Sequence, residues 1–282
     1  MITTTPVSFP EKTQASPGTK ALTLAAAIWL TVATIGQWLF GLYILLFYGT
    51  SAMGGDFQRW NKVLPHGYVE GDWKGNLVVG FHILLAAILV MGGPLQLIPA
   101  IRRYAPGFHR WLGRIYVITA IVVSTAGLIM AWTRQVVGDS TQQISISIQA
   151  LYIIGFALVA IRYARSRQFD QHRIWALRLF MVVNGVWFFR VGLMCWLLIH
   201  GGPVGFDPET FTGPFLTALS VFTYAIPLSL IILEMYLYAQ RKRNEAISYL
   251  TSVLLLLGTI LMGLGIFAAT MGMWLPRVKP LW

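Results

Sequence analysis

Seven uncharged runs limit what this chain can become. They fall at roughly 21–48, 76–101, 111–133, 144–163, 175–199, 214–239 and 247–275, and each is mostly Leu, Ile, Val, Ala, Phe and Gly. A hydrocarbon core of about 30 Å takes about 20 apolar residues to cross as a helix. Backbone groups in lipid must find their partners internally, so a crossing segment is a helix or a strand of a closed barrel. The alternation of a barrel strand is absent. The expected fold is therefore all-α, a polytopic membrane protein of seven spans. Composition agrees: 11% of the 282 residues are charged, against about a quarter in soluble domains.

The loops indicate an orientation. Arg102, Arg103 and Arg110 lie between spans 2 and 3, Arg162, Arg165, Arg167 and Arg173 between spans 4 and 5, and Arg241, Lys242 and Arg243 between spans 6 and 7. The other loops are poorer: Arg59, Lys62 and Lys74 are offset by Asp56, Glu70 and Asp72, Arg134 by Asp139, and the last holds only Asp207 and Glu209. The positive-inside rule puts the amino terminus in the cytoplasm and the carboxyl terminus outside, against a weak contrary signal from Arg277 and Lys279. The same rule accounts for the net charge of +11 without nucleic acid. Residues 1–20 read as a flexible cytoplasmic tail, 21–275 as one seven-helix domain and 276–282 as an external tail. The expected location is a bacterial inner membrane. The long external loop between spans 1 and 2 carries Trp60, Tyr68 and Trp73, which suit a cap lying on the bundle. Cys195 is the only cysteine, so there is neither an internal disulfide nor a thiolate metal cage.

Two basic hairpins resemble one another. "IRRYAPGFHRWLGR" (101–114) and "IRYARSRQFDQHRIWALR" (161–178) each leave the membrane on Ile-Arg and a tyrosine. Each then re-enters on His-Arg, a tryptophan and another arginine. Two parallel hairpins, 76–133 and 144–199, suggest a four-helix core of spans 2–5 about an axis along the membrane normal. That axis puts His109 and His172 at one depth.

The plain reading is that these histidines and arginines are interfacial residues beside belt tryptophans. The functional reading gathers His109, His172, Arg110, Arg114, Arg173 and Arg178 into one site. Paired imidazoles suit axial ligation of haem b, with arginines on its propionates. The same arginines at two helix amino termini suit an anion or lipid headgroup.

Ionisable groups inside spans are functional candidates. Arg178 sits one turn inside span 5, and Glu234 on span 6 lies about 7–10 Å in from the same side, within reach of an ion pair. His82, Asn184 and Arg190 stand deeper, where they can line an outer cavity. Gly92, Gly93 and Pro94 are expected to kink or loosen span 2, with Gln96 near the depth of the histidine pair.

The stretches "GGPLQLIPAIRR", "HRWLGRIYV" and "HRIWALR" resemble an uncharacterised family of bacterial integral membrane proteins, over about residues 76–200. That family supplies no activity. A second likeness is architectural, to ascorbate-dependent two-haem b-type reductases, whose four core helices bind one haem between spans 2 and 4 and another between spans 3 and 5. That likeness implies His109 and His172 as the second pair, whereas span 4 has no histidine to partner His82.

The sequence leads to a membrane b-type haem protein that transfers electrons, with one haem between spans 3 and 5 and a quinone or another redox membrane protein as partner. If it is an enzyme, membrane oxidoreductase is the class indicated. A transporter with an arginine-rich anion or lipid-headgroup site, and an accessory subunit of a respiratory complex, are the alternatives. No GxSxG, P-loop or HExxH sequence supports a hydrolase or kinase.

Overall fold

The computed structural model describes residues 16–64, 66–133, 138–242 and 244–278. Arg134, Arg243 and Lys279, used above for orientation, lie outside that set.

Five helices are long and apolar enough to cross a membrane alone: span 1 (Pro17–Met53), span 2 (Trp73–Leu97), span 3 (Pro106–Thr133), span 4 (Ser140–Arg165) and span 7 (Glu245–Val278). Two bent pairs pass the same test together. These are span 5 (Phe169–Val183 and Gly185–His200, bent by 47°) and span 6 (Pro214–Ala225 and Leu228–Lys242, bent by 42°). With each pair counted once, the described residues hold seven spans. The only β-pairing among the described residues is a single bridge, Asp207 to Thr212.

Several boundaries differ from the sequence reading, each for a local reason. Span 1 takes in residues 17–20 of the expected tail, because Ser16 caps it and Pro17 occupies its first position. Span 7 runs on through a π-helical turn to Val278, so residues 276–278 are helical too. Span 2 continues as α-helix through Pro94 to Leu97 and breaks at Ile98, which is extended before Pro99. Trp38 of span 1 donates its indole N–H to the Met91 carbonyl at 3.1 Å, in the turn where Pro94 has no N–H to give.

Neither bend in spans 5 and 6 is anticipated by the apolar runs. Span 6 breaks at Ile226–Pro227, where proline ends the hydrogen-bond ladder. Span 5 breaks at Asn184 with no proline. Here the Asn184 amide donates to the Phe180 carbonyl at 2.8 Å, and Gln149 of span 4 donates to the Val182 carbonyl at 2.7 Å. Gln149 thus brings a donor from the neighbouring span to the Val182 carbonyl, while the Asn184 amide joins its own backbone N–H, 3.3 Å away, on the Phe180 carbonyl. Gly185 is required beside them, because a Cβ there would overlap the Gln149 amide.

Sidedness is inverted relative to a soluble bundle. On span 7, Ser248, Thr251, Ser252, Thr259 and Gly265 face inward, while Val253, Leu257, Ile260, Leu261, Leu264 and Phe267 are exposed. The hydroxyls of Thr251, Ser252 and Thr259 donate to carbonyls four residues back, at 2.6–2.7 Å. Small residues let helices approach and apolar ones meet lipid, which is how helices associate without water to exclude. The closest approach is at Gly265, where a Cβ would strike the Val191 carbonyl of span 5.

Spans 1, 2, 3, 4, 5 and 7 pack in that order around a ring, and span 6 lies outside against spans 4, 5 and 7. Spans 2–5 are therefore an arc, which spans 1 and 7 close. Towards the basic loops the middle is filled: Tyr116 and Phe180 both lie 3.1 Å from the position of a Gly93 Cβ. Towards the other end the middle is hollow. Over that end lies the segment after span 1, where Trp60 is buried and donates to the Tyr48 carbonyl at 3.3 Å. Trp73 stays exposed.

Candidate functional site

The basic hairpins place His109 and His172 alike. Each is the fourth residue of its helix, Pro106–Thr133 and Phe169–Val183. Each backbone N–H makes the first helical bond, His109 to Ala105 at 3.0 Å and His172 to Gln168 at 2.9 Å. The two rings are close enough to act on one another electrostatically, and Arg102 acts on His109 as well.

Their partners differ. His172 Nδ1 lies 3.0 Å from the Ala160 carbonyl of span 4. A carbonyl only accepts, so Nδ1 holds the proton and, in the neutral ring, Nε2 keeps a free lone pair. Among the described residues, His109 Nδ1 is buried without a partner, as is Gln96 Nε2. Gln96 Oε1 lies 3.1 Å from the position of a Cβ on Gly113, one turn along span 3 from His109. Two unsatisfied polar atoms and one free imidazole nitrogen thus occur at the basic mouth.

Of the arginines that the sequence groups with these histidines, Arg178 has a partner of its own. Arg178 is committed to Glu234, Nε to Oε1 at 2.6 Å and an Nη to Oε2 at 3.0 Å, and it stacks over Trp175 at 4.5 Å. Arg173 acts on Tyr236 of span 6. Arg110 and Arg114 are exposed. The guanidinium whose charge acts on His109 is that of Arg102, which the sequence assigns only to topology.

The hollow end holds a second constellation. His82, Asn184 and Arg190 line one cavity of about 210 Å³, together with Phe40, Tyr43 and Tyr48 of span 1, Ser124 and Gly127 of span 3, Gln149 of span 4 and Trp187 of span 5. Four wall residues carry a buried polar atom with no partner: Tyr43 Oη, His82 Nδ1, Trp187 Nε1 and Arg190 Nε. The Arg190 guanidinium lies over Phe40, 5.7 Å from the ring centre. Tyr43, Gln149 and Trp187 are absent from the sequence reading, because an aromatic or amide residue in a span has no mark that separates a cavity wall from a packed core. Glu234 lies elsewhere, at the basic end with Arg178. Among the described residues no three His, Cys, Asp or Glu side chains come together.

Residues 79–209, from span 2 to just past span 5, match one family model. It is that of a predicted membrane protein, DUF2306. The DUF2306 region holds both histidine hairpins and, of the cavity wall, His82, Ser124, Gly127, Gln149, Asn184, Trp187 and Arg190. Span 1, which supplies Tyr43, and span 6, which supplies Glu234, lie outside it. No curated protein and no solved structure matches the chain.

Proposed function

We propose that this protein carries electrons in the membrane through one b-type haem, with His109 and His172 as the axial pair. The observation that carries the reading is the state of the two rings. They occupy equivalent helix positions within electrostatic reach of one another, and the Ala160 carbonyl holds the His172 proton on Nδ1. A ligating histidine commonly has its second nitrogen bonded in this way, which orients the ring and leaves the other nitrogen for the metal.

The residues present fit such a group in their chemistry. His109 Nδ1 and Gln96 Nε2 are unsatisfied, and Arg102 is a guanidinium at hand for a propionate. The filled interior at Gly93, Tyr116 and Phe180 keeps the site at the basic end. Haem iron, when bound, accepts and returns a single electron. The chain's part is to orient two imidazoles and hold the His172 proton away from the metal-binding nitrogen. In this reading the basic loops face the cytoplasm of a bacterial cell, and a quinone or a second redox membrane protein exchanges the electron.

A second reading is an anionic lipid headgroup at the same mouth, favoured by the exposed Arg110 and Arg114 in the first turns of the helix that starts at Pro106. One experiment separates the two. The protein is expressed with haem supplied, purified in neutral detergent, and its visible spectrum recorded oxidised and then reduced with dithionite. A Soret band with sharp α and β bands is expected, lost in both His109→Ala and His172→Ala. A featureless spectrum together with thermal stabilisation by phosphatidylglycerol would replace haem with the headgroup.

A further inference from the structure

The cavity at the hollow end stands apart from the histidine pair, and its wall is poorly satisfied for an empty space. Arg190 is the centre of the problem. Its Nε is buried without a partner among the described residues, and its guanidinium lies over the face of Phe40. An ion pair of the spans, Arg178–Glu234, belongs to the basic end. A cation held inside a span without a counter-ion is costly, and such residues ordinarily pair or mark a ligand path.

The neighbours add donors. Trp187 Nε1 can only donate, and Tyr43 Oη has a proton to give; both are buried and unpartnered. Gln149 and Asn184 each use one amide N–H on a carbonyl at the span 5 bend. The remaining wall is mostly apolar: Ile44, Ile83, Leu89, Val90, Val123 and Ile153 among others. A site with one uncompensated cation, spare donors on Trp187 and Tyr43, the unpartnered His82 nitrogen and greasy walls calls for an acceptor with negative charge on a compact apolar body.

Size narrows the body. A cavity of about 150 Å³ accommodates benzene, so about 210 Å³ takes a ring or short branched chain with a carboxylate attached. We propose that this cavity binds a small apolar monocarboxylate, with its carboxylate on Arg190 and the donors of Trp187 and Tyr43 completing the anion's shell. A neutral quinone offers acceptors and leaves the Arg190 charge unmet, so it ranks below the carboxylate.

The test uses benzoate as probe and benzamide as its neutral isostere, on the full chain in a neutral maltoside detergent, by thermal unfolding and calorimetric titration. Saturable binding of benzoate with a rise in Tm is expected, and benzamide at the same concentration should give neither. Arg190→Gln should weaken benzoate on the order of thirtyfold or more, while Arg190→Lys keeps part of the affinity. Should Arg190→Gln fail to fold, Ser124→Leu fills the cavity from span 3 and should abolish the response. Equal effects of benzoate and benzamide, an undiminished response in either variant, or binding of a dimethoxybenzoquinone with benzoate silent would each overturn the proposal. His109→Ala should bind benzoate like the unaltered protein, so failure at one site is distinguishable from failure at the other.

Discussion

Arg178 grips Glu234 with two parallel hydrogen bonds, joining span 5 to span 6 about two turns inside the basic end. The geometry is the planar fork that favours arginine over lysine. Trp175, one turn before Arg178, covers the guanidinium face. This explains an arginine inside a span without appeal to any ligand.

The worth of that pair can be measured. The Arg178 side chain is 21% exposed and that of Glu234 39%, so screening reduces what the bidentate geometry would give in a dry interior. A double-mutant cycle of Arg178→Met and Glu234→Gln, read by thermal unfolding in detergent, should show coupling of about 1 kcal/mol. Coupling indistinguishable from zero would mean that the two side chains do not meet in solution.

Glycines on span 7 provide an internal contrast. Gly265→Ala should destabilise by at least about 2 kcal/mol, since the new methyl meets the rigid Val191 backbone and spans 5 and 7 must part. Gly258 has nothing within 4 Å of a Cβ position. Gly258→Ala should be neutral or stabilise by up to about 1 kcal/mol through helix propensity. If both variants shift Tm alike, the close approach at Gly265 is not present.

In the loop between spans 5 and 6, the Glu209 N–H donates to Asp207 Oδ1 at 2.8 Å. That bond, followed by contacts with Thr210, holds the Asp207 carboxyl below the usual aspartate range. A carboxyl depressed in the folded state stabilises the loop above its unfolded pKa and loses that contribution as pH falls through the folded value. The Asp207 carboxyl carbon should therefore titrate by NMR below about 3.9, leaving the loop unchanged at neutral pH. A midpoint at or above that value would show the bond to be absent.

How much of this is legible in the sequence depends on the kind of signal. The spans are legible because a bilayer leaves only long apolar helices, and residues such as Leu257 and Ile260 declare that requirement one by one. The equivalent placing of His109 and His172 follows from the repeated His-Arg at two helix starts. Counting along the helices also puts His82 and Arg190 at comparable depth, and both stand on one cavity wall. The bend at Asn184 is different, because its cause is a partner 35 residues earlier, Gln149, and no local pattern announces it. Tyr43 enters the cavity from a span with no motif. Arg102 lies on a short helix, Pro99–Tyr104, set off because the chain breaks at Ile98 and not at Pro94, a shift of one helical turn that hydropathy cannot register.

The bend in span 5 has one more consequence. The Val182 carbonyl at the bend is met by Gln149 of span 4, so the hollow end has its own support and does not wait for a guest to hold it open. Such a chamber is preorganised: a ligand finds the walls in place, loses less entropy in ordering them, and binds without drawing the helices together.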